Sequence, residues 1–407
     1  MIILMLRWMT AGESHGEALT ALIEGVPAGV EITSERIEQV LARRRLGHGR
    51  GARQAFEQDR LTILGGIRHG RSIGSPIVLQ IGNSEWPKWS TVMSADPVDP
   101  AELLRDAGTG DAREIARNRP LTRPRPGHAD LPGLLKFDFA DARPVLERAS
   151  ARETAARVAL GAVAEAILTQ VGGVQLLSHV IQVGSLRAEE PIQPMPGDEE
   201  ALNASAMRTL DADLDQRFRE LVDHTKANGN TIGGVVEVIA WGVPIGLGSH
   251  VSARARLDAK IAHALMSIQS VKGVEIGDGF AQAAMLGSEA HDEILKGPDG
   301  HLMRASNHAG GIEGGTSNGQ PIVVRAAFKA ISTVPRALRS VDLASGEEAL
   351  GLHQRSDTCQ LVPGALIAQA ELALVLADAL FEHAGGKSVA EMRRNLEAYR
   401  QRVGERA

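Results

Sequence analysis

A long, almost wholly apolar helical segment at residues 364–383 sets the strongest limit on the architecture. A helix that is apolar on every side cannot face water, so it is predicted to lie buried between layers of secondary structure. Residues 147–170 form a second helical segment, which is rich in Ala. Both segments end at a pair of glycines, a common way to stop a helix.

Shorter apolar runs around these helices predict strands. They lie at residues 6–11, 61–64, 76–81, 235–241 and 321–328. Aromatic residues make up only 3% of the chain, so the core must be built from Leu, Val, Ile and Ala. The hydrophobic content of 43% and the charged content of 23% are ordinary for a globular protein and exclude a wholly disordered chain.

Two more helices are expected. Ser34 is the predicted N-cap of the first, in which Ile37, Val40 and Leu41 recur at helical spacing. Residues 252–268 form the second, with apolar residues four apart.

The length of 407 residues exceeds the usual domain size of roughly 100–200 residues, yet one large α/β or α+β unit remains compatible with it. The polar connection at residues 184–213 could separate two halves. Residues 85–119 combine Pro, Gly and scattered charge, and they are interpreted as a surface excursion, with a lid as one option.

Charge and cysteine content exclude several classes of protein. The formal net charge of −6 argues against a nucleic-acid partner, which usually requires a basic excess. The single cysteine, Cys359, cannot form an internal disulfide and favours a reducing compartment. No run of eighteen apolar residues is seen, so no membrane span is expected. The first residues do not resemble a signal peptide, and Met5 is an alternative start to Met1.

The first motif with chemical meaning is Gly-Glu-Ser-His-Gly at residues 12–16. Its G-x-S-x-G spacing would make Ser14 the nucleophile of a serine hydrolase. Only thirteen residues precede Ser14, however, and the strands and oxyanion loop of a hydrolase cannot fit upstream. The alternative is that His15 serves as an acid at the end of a strand, since imidazole exchanges a proton near neutral pH.

The second motif is RRRLGHGRG at residues 43–51. Gly47, Gly49 and Ala52 match G-x-G-x-x-A, but a dinucleotide-binding loop must follow a strand, and this motif follows a helix. Two interpretations stay open at this point. The arginines could be a solvated helix end, or they could clamp phosphate and carboxylate groups from a glycine-rich loop.

Three further segments carry candidate residues. In RPRPGHAD (123–130), prolines and Gly127 would present His128 rigidly, although a surface turn is the simpler reading. The paired glycines of residues 305–319 suit a cofactor bed or a hairpin connection. Asp357 precedes the apolar C-terminal helix, so it is expected to be an N-cap unless local burial makes it a base.

Together these motifs resemble the chorismate synthase family along residues 10–379. Three segments look like family signatures: GESHGEALTALIEGVP (12–27), ERASARETAARVALGAV (147–163) and RSDTCQLVPGALIAQ (355–369). The blocks RPGHAD, GSHV and SVKGVEIGDGF and the double-glycine loop add to the resemblance. The resemblance implies an α+β fold, a β-α-β sandwich with long central helices between antiparallel sheets, in one domain over residues 1–407.

The resemblance also implies the reaction. Phosphate and a proton would leave 5-enolpyruvylshikimate 3-phosphate by 1,4-anti elimination to give chorismate, using reduced FMN without net redox change. This is the final step of the shikimate pathway. A cationic site would have to offset the charges of the flavin, the phosphate and the carboxylates.

Three residues match the family's catalytic positions. His15 would act as general acid near the departing phosphate, and His128 would lie by the flavin and help to hold its protonation state. Asp357 matches the aspartate that, with flavin N5, is thought to take the C6 proton.

The resemblance further implies cofactor positions, and no metal site. The positions that match contacts to reduced FMN are Arg148, Ala149, Ser150, Gln269, Ser270, Gly314, Lys329, Ala330, Ile331, Ser332, Thr333 and Arg355. Arg44 and Arg50 match positions assigned to NADPH in some family descriptions, but they suit the anionic groups of the substrate at least as well.

The implied assembly is a cytoplasmic homotetramer with no nucleic-acid or membrane partner. Its flavin would be reduced either by NADPH on the same chain or by an external flavin reductase. Two positions depart from the family pattern: Gln369 stands where Glu is usual, and Ala330 replaces a common Pro. Neither is a candidate acid or base, so altered packing or cofactor affinity is expected rather than loss of activity.

Overall fold

A computed structural model describes residues 5–51, 59–103, 117–298, 300–352 and 357–404. Within these ranges the strands, in chain order, are β1 (Arg7–Ala11), β2 (Ala18–Glu24), β3 (Arg60–Gly65), β4 (Ile67–Arg68), β5 (Arg71–Ser72), β6 (Ile77–Gly82), β7 (Gln175–Val183), β8 (Leu186–Arg187), β9 (Gly234–Trp241), β10 (Val271–Ile276), β11 (Ile294–Lys296), β12 (Leu302–Arg304), β13 (Ile312–Glu313), β14 (Thr316–Ser317), β15 (Ile322–Phe328), β16 (Arg339–Val341) and β17 (Glu348–Leu350).

The α-helices of the same ranges are α1 (Ser34–Arg44), α2 (Trp86–Trp89), α3 (Pro100–Leu103), α4 (Asp130–Phe137), α5 (Arg143–Arg148), α6 (Thr154–Gly172), α7 (Glu199–Ala204), α8 (Ala212–Ala227), α9 (Leu257–Met266), α10 (Gly279–Gln282), α11 (Gly287–Ala290), α12 (Leu361–Ala384) and α13 (Val389–Gly404). A 3₁₀ turn at Ala151–Glu153 lies between α5 and α6.

The strands form two antiparallel sheets. The first has the order β1-β2-β6-β3, and every second residue of β2 and β6 is buried, as a sheet with one covered face requires. The second has the order β10-β15-β9-β7-β8. The remaining strands pair as four short hairpins.

Two long helices fill the space between the sheets. Helix α6 packs on β2 and β6 of the first sheet, and α12 packs on β7 and β9 of the second. The two helices also pack on each other, so one hydrophobic cluster contains residues of both sheets and both helices. The architecture is α+β, with helices between antiparallel sheets, and this confirms the fold class that the sequence resemblance implies.

Both central helices are long and apolar enough to satisfy a length and composition test for a membrane span. The apolar window of α12 is entirely buried inside the protein, and most of the corresponding window at Arg143–Gly172 is buried too. Core helices pass the same test, and the apolar surfaces of these helices contact the sheets.

The predicted strands and helices are confirmed, with differences at their ends. The N-cap of α1 is Thr33 rather than Ser34, because the Thr33 hydroxyl accepts a hydrogen bond from the Arg36 backbone N–H at 3.2 Å. The helix predicted at 252–268 begins at Leu257. The helix predicted at 147–170 is interrupted, because Ser150 adopts an extended backbone and caps the 3₁₀ turn that follows.

The two expected connections also carry structure. Residues 184–213 contain β8 and α7. The described part of residues 85–119 contains α2 and α3, and residues 104–116 lie outside the described ranges. Trp89 at the end of α2 is buried, so this region is only partly a surface excursion.

Candidate active site

A cavity of about 740 Å³ opens where the ends of several elements meet. Its walls come from the turn after β1, the end of α1, the turn before α4, the break between α5 and α6, the end of α9, the segment after β15 and the start of α12. The predicted site residues that line it are His15, Arg44, Arg50, His128, Ala149, Ser150, Gln269, Ser270, Lys329, Ile331, Ser332, Thr333 and Asp357. Motifs that are far apart in the chain therefore converge on one cavity.

His15 is held at the cavity by a tight turn after β1. Gly12 has a φ of 98° and lies so close to the backbone of Ala18 that a side chain would clash. The His15 ring nitrogen Nδ1 lies 2.9 and 3.0 Å from the two carboxylate oxygens of Glu147, whose side chain is fully buried. The imidazole is therefore fixed by a buried carboxylate.

His128 is held in a similar way after the prolines of its motif. Gly127 has a φ of 75°, and the next residue, His128, places Nδ1 at 2.6 Å from the Asp130 carboxylate. Arg125 binds the same carboxylate, with Nε at 2.8 Å and Nη2 at 3.1 Å. Burial alone would raise the pKa of Asp130, but the hydrogen bonds from His128 and Arg125 outweigh it and lower this pKa well below its ordinary value.

Asp357 lies beside the glycine-rich loop that follows α1. One carboxylate oxygen accepts a hydrogen bond from the Gly51 backbone N–H at 2.6 Å, and the other lies 2.9 Å from the Arg50 guanidinium. The N-cap of α12 is Gln360, so the expectation that Asp357 caps this helix is wrong. Its carboxylate instead joins the loop of the arginine motif to the start of α12.

The cavity is strongly cationic. Among the described residues that line it, the charged side chains are the cations Arg44, Arg50, Arg125, Arg152 and Lys329 and the single carboxylate Asp357. Arg44 is buried and donates to the Ala151 carbonyl at 3.0 Å, which makes it part of the cavity wall rather than a solvated helix end. Burial, followed by the charge of Lys272, lowers the pKa of Lys329. Such a site suits a ligand with several negative charges.

Several polar atoms at the cavity have no hydrogen-bond partner within the described part of the chain. They are Nε of Arg50, Oε1 of Gln269 and Nε2 of Gln360. Buried polar groups normally have partners, so these atoms are expected to bind a ligand or water. Ser270 has a φ of 73°, an unfavourable conformation for a residue with a side chain, and its carbonyl accepts from the Lys329 backbone N–H at 2.9 Å.

Of the predicted positions that the structure describes, three do not line this cavity. Arg148 donates to the Thr10 and Gly12 carbonyls and so braces the turn before His15. Ala330 is exposed beside the cavity residues of its segment. Gly314 forms the turn between β13 and β14, which agrees with the hairpin alternative for its loop. Arg355 lies outside the described residues.

The sequence analysis missed several residues that support the site. Glu147, Arg125 and Asp130 lie in the quoted motifs, and their spacing of two or three residues from His128 could have suggested Arg125 and Asp130 as partners. Trp89 stacks on the His15 ring with a centroid distance of 3.7 Å, and no sequence pattern indicates this contact. Within the described residues, no group of three or more His, Cys, Asp or Glu side chains could hold a metal ion.

The fold and the cavity define a class of protein: an α+β protein whose cationic cavity suits a polyanionic ligand and has two imidazoles and a carboxylate in its wall. A family model described as chorismate synthase matches residues 6–381. A chorismate synthase of Mycobacterium avium is 57% identical over 402 residues, covering 99% of this chain and 98% of that protein. One from a Nocardioides species is 57% identical over 395 residues, covering 97% of this chain and 98% of that protein.

A solved structure titled as a crystal structure of chorismate synthase has a TM-score of 0.76, is 35% identical, and covers 98% of this chain and 99% of that one. The chain belongs to the chorismate synthase family. It is a lyase, and its reaction, the elimination of phosphate from 5-enolpyruvylshikimate 3-phosphate to give chorismate, is the last step of the shikimate pathway. This assignment replaces the serine hydrolase interpretation of Ser14.

Proposed function

We propose that the cavity is the active site, that it binds reduced FMN together with the phosphorylated substrate, and that His15, His128 and Asp357 are its catalytic residues. The observation that carries the proposal is the convergence of these three residues and five cationic side chains on one cavity of about 740 Å³. Both ligands carry phosphate, and the substrate adds two carboxylates, so this charge pattern matches them.

The residues present fit the flavin. Within the described ranges, the amide oxygen of Gln269 and the amide nitrogen of Gln360 have no hydrogen-bond partner, and they could supply an acceptor and a donor for a heterocyclic ring. Lys329, Ser332 and the backbone around Ser150 would hold its anionic and polar groups. Reduced FMN, when bound, would supply an electron transiently and so ease cleavage of the C–O bond.

The protein's own groups bind the substrate and move its protons. Arg44 and Arg50 line the same cavity as the histidines, and this supports their role in holding the substrate's phosphate and carboxylates rather than NADPH. His15 would protonate the departing phosphate, and Asp357 would receive the proton lost from carbon. His128, fixed by Asp130, would hold a proton beside the flavin.

The remaining expectations are part of the same proposal. The chain would act as a cytoplasmic homotetramer, without a nucleic-acid or membrane partner. The flavin would be reduced by NADPH on the same chain or by an external reductase. An assay with NADPH and oxidised FMN, run with and without an added flavin reductase, separates these alternatives. The flavin roles of Arg148, Gly314, Ala330 and Arg355 rest on the family resemblance alone.

The direct test is anaerobic conversion of 5-enolpyruvylshikimate 3-phosphate in the presence of chemically reduced FMN, with release of phosphate as the readout. We expect His15→Ala, His128→Ala and Asp357→Ala each to lower kcat by roughly 10²-fold or more while the proteins stay folded. His224→Ala is the matched control, because His224 is exposed on α8 and does not line the cavity. Near-normal turnover in all three variants would disprove the site assignment.

A further inference from the structure

Glu147 and Trp89 enclose His15 on two sides. The Glu147 side chain has no exposed surface. One of its carboxylate oxygens accepts a hydrogen bond from the His15 backbone N–H, and the same oxygen lies 2.9 Å from Nδ1 of the His15 ring. The Glu147 carbonyl accepts the Ser14 backbone N–H at 3.1 Å. A single residue of α5 therefore fixes both the backbone and the ring of His15.

Trp89 covers one face of the imidazole. The two rings are nearly parallel, at an angle of 18°, and Trp89 itself is buried. The guanidinium groups of Arg117 and Arg143 lie 5.2 and 5.5 Å from the centre of the Trp89 ring. Arg143 also lies 3.6 Å from the Glu147 carboxylate, so it links the two residues that hold His15.

We propose that Glu147 is a positioning residue for the elimination: its buried carboxylate accepts the Nδ1–H of His15 and so fixes the tautomer of the imidazole, while Trp89 fixes the plane of the ring. Because the proton of the neutral ring is held on Nδ1 by Glu147, the basic lone pair of the imidazole lies on Nε2. The inference rests on the proposed role of His15 as the acid.

Glu147→Gln tests this inference because it keeps the shape of the side chain. The amide oxygen can still accept the His15 backbone N–H, and this directs the amide NH₂ group at Nδ1. Donation from that amide N–H to Nδ1 would place the proton of the neutral ring on Nε2, the same change of tautomer that follows when the aspartate of a serine-protease triad becomes asparagine. We expect kcat to fall by on the order of 10²-fold or more, while KM for the substrate changes less than about threefold.

A second measurement reports the tautomer directly and needs no substrate. NMR of ¹⁵N-histidine-labelled protein provides this measurement, and the His15 signal is identified because it is absent from His15→Gln. The signal should show Nδ1–H in the parent and Nε2–H in Glu147→Gln. Glu237→Gln is the matched control: Glu237 is another buried carboxylate, 2.9 Å from the buried His179, but neither residue lines the cavity. This control should keep the kcat of the parent per folded molecule.

Trp89→Leu and Trp86→Leu form a second matched pair in α2, and only the first should lower kcat. The inference is overturned if Glu147→Gln retains kcat within twofold, if its His15 tautomer is unchanged, or if Glu237→Gln loses as much activity. If the parent enzyme itself fails to convert the substrate, the proposed function fails, and the tautomer comparison still decides the role of Glu147.

Discussion

Asp130 shows how one buried carboxylate organises a residue of the site. It receives hydrogen bonds from His128, from two nitrogens of the Arg125 guanidinium and from the Arg125 backbone N–H. The Arg125 guanidinium also donates to the hydroxyl of Thr333, another residue of the cavity wall, at 2.9 Å. Removal of the Asp130 charge would therefore leave a buried guanidinium without its counter-ion and loosen two walls together.

We predict that Asp130→Asn lowers the free energy of unfolding by about 3 kcal/mol at pH 7. The pKa of Asp130 is lowered in the folded protein, so its ionised form stabilises the fold above the unfolded carboxyl pKa of about 3.9 and this contribution decreases as the pH falls further. The difference between parent and variant should thus stay constant from pH 8 to about 5 and shrink below about pH 4.

Urea unfolding at a series of pH values measures this difference. Asp213→Asn is the control, because Asp213 forms an exposed pair with Arg217 and should change little at any pH. A difference that grows as the pH falls would contradict the assigned direction of the Asp130 pKa.

For individual residues, the sequence motifs carried most of the information about the candidate site. His15, His128 and Asp357 could be selected from the sequence because each stands in a specific motif, and the structure brings all three to one cavity. Glu147 and Trp89 could not be selected, because their contacts with His15 depend on chain segments more than seventy residues away. The N-cap expectation for Asp357 was wrong since the tertiary contact with Arg50 overrides the local helix start.

At the level of elements, the contact between α6 and α12 depends on a small residue. An added Cβ at Gly161 would lie 2.4 Å from the Ala370 Cβ and 2.7 Å from its Cα. Neither neighbour is a flexible side-chain end, so the helices would have to separate. Gly161 therefore allows the close approach of the two central helices.

We predict that Gly161→Ala destabilises the protein by about 1–3 kcal/mol, because overpacking outweighs the better helix propensity of Ala. Thermal or urea unfolding provides the measurement. Gly404→Ala is the control, since Gly404 is exposed on α13 with no atom near the added Cβ, and it should be neutral or slightly stabilising. Equal effects in both variants would show that the helix contact tolerates a methyl group.

Helices and strands could be predicted where a segment is clearly apolar, as in α12 and β15. The break between α5 and α6 was not, because the Ala-rich sequence continues through it with good helix propensity. Tertiary bonds decide the local structure there: the Arg152 guanidinium binds Asp59, and Glu153 accepts from Gln269 at 3.0 Å. Helix propensity predicts local structure poorly where buried charged side chains require partners from elsewhere in the chain.

For the whole molecule, the sandwich joins both sheets through one hydrophobic cluster. The sequence indicated the two buried helices, but the order of the strands in each sheet could not be read from it, since β6 lies between β2 and β3 and β15 between β9 and β10. The architecture came instead from the family resemblance. The single-domain assignment for residues 1–407 stays a prediction.

A shared core predicts that the two sheets unfold together. Trp8 lies in β1 of the first sheet and Trp241 in β9 of the second, so each can report on its own sheet when the other tryptophans are replaced by Phe. We expect the two fluorescence transitions in urea to share one midpoint, and the far-UV circular dichroism to follow them. Two separate midpoints would instead show two independently unfolding units.

The cavity wall runs from Ser14, close to one end of the chain, to Ile367, deep in the last long helix of the sandwich. The proposed catalytic residues are consequently encoded in widely separated parts of the gene. A nonsense mutation anywhere before the codon for Asp357 would yield a product without this carboxylate, and no amount of remaining folded sheet could compensate. Nonsense mutations late in the gene should therefore be as damaging to chorismate supply as early ones.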